Sequence, residues 1–144
     1  MSAELADRFF LDTNLFIYSM TDDDPAKAQI ATALIRRAVS TQKGTISYQV
    51  IQEFCNTALK RFARPMSTAE CGKYIETVLR PMLRVHSSVG LFTEALAFKS
   101  RYKLSWYDSL IVCAAIEAEC GVLYSEDMQH GQRFGALEIH NPFL

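Results

Sequence analysis

The 144-residue sequence has no C-x-x-C pair, no internal repeat, no glycine-rich phosphate loop and no long apolar run. Each absence removes a class of protein. The four cysteines, Cys55, Cys71, Cys113 and Cys120, fit no zinc spacing. Cys55 and Cys113 fall in apolar helical stretches and read as buried, reduced thiols, which suits a reducing cytosol. Without G-x-x-x-x-G-K-[ST], a P-loop nucleotide enzyme is excluded. No run is long enough to span a bilayer. Glu4, Asp7 and Arg8 interrupt any apolar leader. A cytoplasmic protein is therefore expected. An excess of positive charge is also missing, since 15 Lys and Arg stand against 16 Asp and Glu, a net charge of −1. That argues against gripping nucleic acid through a large positive field. It does not exclude a nuclease, because a site built on carboxylates itself lowers the net charge.

What is present is ordinary globular composition, 49% hydrophobic and 22% charged. The length suits one domain over residues 1–144, able to bury roughly 68–70% of its unfolded surface. Short apolar runs alternate with longer helical patterns, which predicts an α/β fold with a mainly parallel sheet of four to five strands. Strands are expected at residues 8–11, 45–47, 82–86, 122–124 and 137–140. Helices are expected at about 14–20, 25–41, 48–62, 68–79, 88–102 and 106–119. Asp24-Pro25 supplies an N-cap and a first helical residue. Lys43-Gly44 reads as the end of that helix. Ser67 and Glu70 form a capping-box pattern. Gly121 reads as the residue just past the helix beginning at Trp106. That helix is apolar nearly all round and should be buried.

Parallel α/β sheets bind ligands outside the carboxyl ends of their strands. Asp12 follows the first strand directly, and Asp127 lies just past the fourth. Glu53 sits in the second turn of the helix after the second strand. Asp108 sits in the first turn of the buried helix. All four can reach one edge of a right-handed parallel sheet. Carboxylates near an apolar face are costly unless paired or metal-bound. Two of them about 4 Å apart repel by roughly 4 kcal/mol at an effective dielectric near 20. No Lys or Arg near them in sequence offers an obvious partner. A divalent cation would turn the repulsion into coordination, and all-oxygen ligands point to Mg²⁺ or Mn²⁺ rather than zinc.

The segments around these residues are Phe-Phe-Leu-Asp12-Thr13-Asn14, Ser-Tyr-Gln-Val-Ile-Gln-Glu53-Phe, Ser-Trp-Tyr-Asp108-Ser-Leu-Ile and Leu-Tyr-Ser125-Glu126-Asp127. In this order they resemble the four acidic segments of PIN domains, and the free-standing length resembles the VapC toxins of toxin–antitoxin pairs. The resemblance implies a three-layer α/β/α sandwich. It implies an endoribonuclease with Mg²⁺ or Mn²⁺, homodimerisation, and a VapB-like antitoxin whose tail blocks the site. In that scheme Asp12, Glu53 and Asp108 hold the metal and Asp127 completes the site. Glu126 competes with Asp127 for the fourth place, and Asp127 is preferred. Thr13, Asn14 and Ser125 are placed to orient the acidic residues.

Structural roles compete with each of these. Asp12 could merely cap a helix, and Ser105-x-x-Asp108 resembles a capping box. Glu53 could be a solvated helix residue, and Asp127 a turn residue. Asp22, Asp23 and Asp24 read as a solvated cap. His86, His130 and His140 share no spacing and read as structural, with His130 the nearest in sequence to Asp127. Lys60, Arg61 and Arg64 suit phosphate contacts or a cation-favouring helix end. Trp106 suits packing more than stacking on a base. Two other functions compete as well. One is an aspartate-based phosphatase with Asp12 as nucleophile, against which Asn14 stands where a HAD-type enzyme has its second Asp. The other is a metal-binding RNA- or protein-interaction module without activity.

Overall fold

The computed structural model describes residues 7–144, so Glu4 lies outside the described residues. The chain opens with β1 (Phe9–Leu11), α1 (Thr13–Ser19) and α2 (Pro25–Thr41). β2 (Gly44–Ser47) runs straight into α3 (Tyr48–Lys60), and α4 (Thr68–Tyr74) follows. Then come β3 (Leu83–Val85), α5 (Val89–Tyr102), α6 (Trp106–Glu117) and β4 (Val122–Tyr124). The hairpin of β5 (Arg133–Phe134) and β6 (Leu137–His140) closes the chain. The strands form one six-stranded sheet in the order β3-β2-β1-β4-β6-β5. Every pairing is parallel except β5 with β6.

This order decides where the helices lie. The first two crossovers step outward from β1 to β2 to β3, and the third returns to the other side of β1. Right-handed crossovers then place α1–α4 on one face and α5–α6 on the other. The result is the three-layer α/β/α sandwich. The stepping direction reverses between β1 and β4, which opens a crevice at their carboxyl ends.

The core follows from the composition of these elements. Phe10, Leu11, Ile46, Leu123 and Ile139 of the sheet are fully or almost fully buried, as are Phe16 of α1 and Phe54 of α3. Residues Ser109–Ala115 of α6 are buried without interruption. That is the burial expected of a helix apolar on all sides.

Four sequence expectations need correction. Gly44 does not end α2; Gln42 does so, with φ 60°. Gly44 instead starts β2 where α2 presses on the strand, and a Cβ there would stand 2.1 Å from the Ala38 Cβ. At the end of α6 the left-handed residue is Glu119, φ 60°, not Gly121. The helix expected to reach Leu79 loses regularity after Tyr74. It widens to a π-turn over Ile75–Leu79 and then tightens to a 3₁₀ turn over Arg80–Met82. Pro81 explains this, because its ring would collide with the Thr77 carbonyl in a regular α-helix. Finally, the polar segment before the last strand holds β5. Gly135, with φ 61°, turns the two-residue hairpin.

Candidate active site

Asp12 is the residue at which β1 ends and α1 begins. Its backbone N–H donates to the Tyr124 carbonyl, 3.1 Å, tying the ends of β1 and β4 together. Its side chain is buried. Oδ1 accepts the Thr13 N–H at 2.7 Å, and Oδ2 accepts the Ser125 hydroxyl at 2.8 Å. Both oxygens are thus oriented by buried neighbours that stand just past the ends of β1 and β4, beside the crevice.

The other carboxylates arrive from three further elements. Glu53, on α3, accepts the Thr13 hydroxyl at 2.7 Å. Asp127, in the loop after β4, accepts the Asn14 side-chain amide at 3.1 Å. Asp108 is half-buried in the first turn of α6, where its N–H donates to Ser105 Oγ, 3.1 Å. Asp12, Glu53, Asp108 and Asp127 line one open cleft of about 480 Å³.

Burial, with a smaller contribution from neighbouring charge, raises the proton affinity of Asp12 and of Asp108. Burial pushes the Asp12 carboxyl up to about 6. Hydrogen bonds from Ser125 and Thr13 oppose that rise, while the charges of Glu53 and Asp127 add to it. Burial also raises Asp108, the Ser105 hydroxyl opposes, and the Asp127 charge adds to the rise. Among the described residues, no three His, Cys, Asp or Glu side chains converge closely enough to form a ready-made cage for an ion. The cleft is therefore an acidic bowl rather than a closed coordination shell.

The PIN domain family profile matches residues 9–132. The chain belongs to the PIN domain family. Solved structures share the fold. A toxin–antitoxin complex from Klebsiella pneumoniae superposes with TM-score 0.64 at 15% identity, covering 92% of this chain and 96% of that one. The sarcin-ricin loop cleaving toxin VapC20 of Mycobacterium tuberculosis gives 0.60 at 16%, covering 83% and 89%. FitAcB from Neisseria gonorrhoeae gives 0.63 at 12%, covering 94% and 98%. At these identities the likeness is one of fold. No curated protein matches the sequence at a significant level.

In this PIN domain Glu126 is turned to other partners. It accepts from Tyr18 Oη and pairs with Lys27 Nζ, each at 2.9 Å, and it does not line the cleft. Asp127 does. Arg61 borders the cleft, whereas Lys60 and Arg64 do not, although Arg64 lines a neighbouring cavity with Arg61. Asp24 caps α2 by accepting the Lys27 N–H at 3.2 Å. His130 accepts the Asn141 N–H at 3.0 Å and packs on His140. Cys113 is buried; Cys55 is only half-buried, with its sulfur 3.5 Å from that of Cys71. No helix of the described residues is long and apolar enough to cross a membrane.

Among the cleft residues that the sequence did not single out are Gln49, Thr57 and Tyr107. The first two carried a signal. Gln49, Glu53, Thr57 and Arg61 recur every four residues, so they form one polar stripe along α3 and its C-cap. Tyr107 carried none, because it is an exposed aromatic beside a motif residue. Its carbonyl accepts the Gln49 amide at 3.3 Å, joining α3 to α6 across the cleft rim. One further polar group stands out. The Ser47 hydroxyl is the only buried side-chain N or O atom without a hydrogen-bond partner among the described residues. Such a group costs about 1–3 kcal/mol.

Proposed function

We propose that this PIN domain is a metal-dependent endoribonuclease and the toxin of a toxin–antitoxin pair. The observation that carries the reading is Asp12. It is a buried carboxylate at the reversal point of the sheet, oriented through both oxygens and facing three more carboxylates in one cleft. A protein that leaves such a group without a counter-charge loses stability, so the arrangement calls for a cation. Asp12, Glu53, Asp108 and Asp127 would hold Mg²⁺, or Mn²⁺ in its place. The absence of a closed cage suits Mg²⁺, which keeps several waters and takes few carboxylates directly. When bound, the ion supplies a water of lowered pKa and neutralises charge growing on the phosphate.

The chain's own residues do the positioning. Ser125 and the Thr13 N–H fix the plane of the Asp12 carboxylate. The Thr13 hydroxyl fixes Glu53, and Asn14 holds Asp127 toward the cleft. Arg61 at the rim supplies a positive charge for the phosphate chain of an RNA substrate. A second copy of the chain and a VapB-like antitoxin complete the picture as partners. The toxin–antitoxin complex from Klebsiella pneumoniae that shares the fold supports the antitoxin part of the reading. The competing reading is a binding module that takes up metal or RNA without cutting.

Cleavage of total cellular RNA by wild type and by Asp12→Asn, each with Mg²⁺, Mn²⁺ or EDTA, separates the two. Metal-dependent cuts by the wild type, weaker by about a hundredfold or more in the variant, support the ribonuclease. Folded, metal-binding wild type that cuts nothing supports the binding module. Equal cutting by both proteins removes Asp12 from the scheme.

A further inference from the structure

Three of the four cleft carboxylates stand on or against regular structure. Asp12 caps α1 at the end of β1, Glu53 is on α3 and Asp108 is on α6. Asp127 has no such support. Residues 125–132 form neither helix nor strand, and among the described residues no backbone hydrogen bond is made by residues 126–128. Asp127 is exposed, and its side chain accepts the Asn14 amide at 3.1 Å. Its place therefore depends on how its chain neighbours are held. Before it, the Ser125 N–H donates to the His140 carbonyl at 3.1 Å, and after it Met128 is buried. Between them Glu126 is gripped at both oxygens. Oε1 accepts the Tyr18 hydroxyl and Oε2 accepts the Lys27 ammonium, each at 2.9 Å. Lys27 is itself well anchored. Asp24 caps α2 by accepting the Lys27 N–H, so Lys27 is fixed in the first turn. Its ammonium lies 4.9 Å from the centre of the Tyr18 ring and 5.5 Å from that of Phe143. The two rings meet edge to face at 5.2 Å. Tyr18 also lines the acidic cleft.

The side chains of Lys27 and Glu126 are 31% and 24% exposed. An ion pair at a protein surface adds little to stability. This one is nonetheless confined by two aromatic rings and a tyrosine hydroxyl, which holds Glu126 in a single direction. That direction is away from the cleft, while Asp127, the next residue, lines it. We propose that Lys27 is a positioning residue of the acidic site, acting through Glu126 to set where Asp127 stands. Lys27 does not line the cleft and touches no group in the reaction. The physical reason lies in conformational freedom. A carboxylate on an irregular segment samples many positions, and the loss of that freedom on taking up an ion subtracts from affinity. A clamp formed during folding removes the loss beforehand. Groups that orient metal ligands from behind change metal affinity about 10–100-fold when lost. The inference rests on the metal-binding part of the reading above, and it extends the site from the cleft to α2.

Mn²⁺ serves as the probe, with no RNA present. The intact protein is titrated and the free ion is read by electron paramagnetic resonance. Lys27→Met keeps the reach of the side chain and removes its charge. It should weaken Mn²⁺ binding about tenfold, while the melting temperature in EDTA hardly changes. Glu126→Gln should do the same. Lys27→Arg keeps the charge and should restore most of the affinity. A merely structural lysine is told apart by a double-mutant cycle. In an Asp127→Asn background, Lys27→Met should weaken binding no further, because a residue that acts through Asp127 has nothing left to position. A metal-free measurement tests the clamp itself. In EDTA, the backbone order parameters of residues 126–128 from nitrogen-15 relaxation should fall in Lys27→Met. Three results would each overturn the positioning role: wild-type Mn²⁺ affinity in Lys27→Met, a full further loss on top of Asp127→Asn, or unchanged order parameters. Each leaves the metal reading standing, provided that the wild type binds the ion. A wild type that binds no Mn²⁺ defeats the metal reading, and the positioning role falls with it.

Discussion

Asp12 carries its negative charge at neutral pH in a place that disfavours it. In the folded chain its carboxyl titrates at about 6, raised from 3.8 chiefly by burial. The sign of the consequence follows from linkage. Between these two values the folded state binds the proton more tightly than the unfolded state, so stability falls as pH rises through the window. Above about 6 the cost is complete, on the order of 3 kcal/mol. In EDTA, Asp12→Asn should therefore be more stable than wild type at pH 7.5 by about 1–3 kcal/mol, with the gap closing near pH 4. Urea denaturation at the two pH values checks this. A variant that is less stable at both would show that the hydrogen bonds from Ser125 and Thr13 outweigh the burial cost. Ser125→Ala tests the orientation of Asp12 separately. Removing its 2.8 Å hydrogen bond should lower metal-dependent activity about 10–100-fold while the fold persists. A kinetic assay at saturating Mg²⁺ that finds wild-type rates would remove Ser125 from the site.

At the scale of elements, the most constrained contact is where α2 crosses β2. An ideal Cβ on Gly44 would stand 2.1 Å from the Ala38 Cβ and 2.8 Å from its Cα. Gly44→Ala must push the helix off the strand and should cost about 1–3 kcal/mol. Ala38→Gly in the same chain should restore part of the loss, which a double-mutant cycle in urea would measure. Independent, additive losses would place the strain elsewhere. Glu119 makes the opposite case. Its φ of 60° is a left-handed conformation held by a residue with a Cβ. Glu119→Gly should stabilise the chain by about 0.5–1 kcal/mol. A fall in the unfolding midpoint would count against strain at that turn. Both positions illustrate why glycine misled the sequence reading. Gly44 and Gly121 looked like helix stops because glycine is the preferred left-handed residue. Yet Gly44 is needed for close approach, and Gln42 and Glu119 take the left-handed turns instead. Where a helix stops depends on what the next strand must meet, and local propensity carries no information about that.

For the whole molecule, the proposed metal ion would couple folding to occupancy of the acidic cleft. An ion that binds the folded chain alone stabilises it by about 2.7 kcal/mol at a hundred times its Kd. Mg²⁺ should therefore raise the melting temperature of the wild type by several degrees. It should raise that of Asp12→Asn much less. Scanning calorimetry with and without EDTA decides, and identical shifts for the two proteins would place the ion outside the cleft. Much of this architecture was legible in advance. Alternating strand and helix patterns, the buried character of α6 and the positions of four acidic residues just past strand ends or in the first two turns of helices are properties of local sequence. They gave an α/β fold with a mainly parallel sheet and the edge where the acidic residues gather, while the three-layer order was implied by the resemblance to PIN domains. The tertiary structure decided what local sequence has no means to encode. Thr13 meets Glu53, Asn14 meets Asp127 and Ser125 meets Asp12 across separations of 40 and 113 residues. Glu126 turns to Lys27 rather than to the cleft. Ser47, at the N-cap position of α3, is left with its hydroxyl buried and without a hydrogen-bond partner. Periodicity assigns a side chain to a face, but the neighbour it finds there is set by the order in which the crossovers stack the strands.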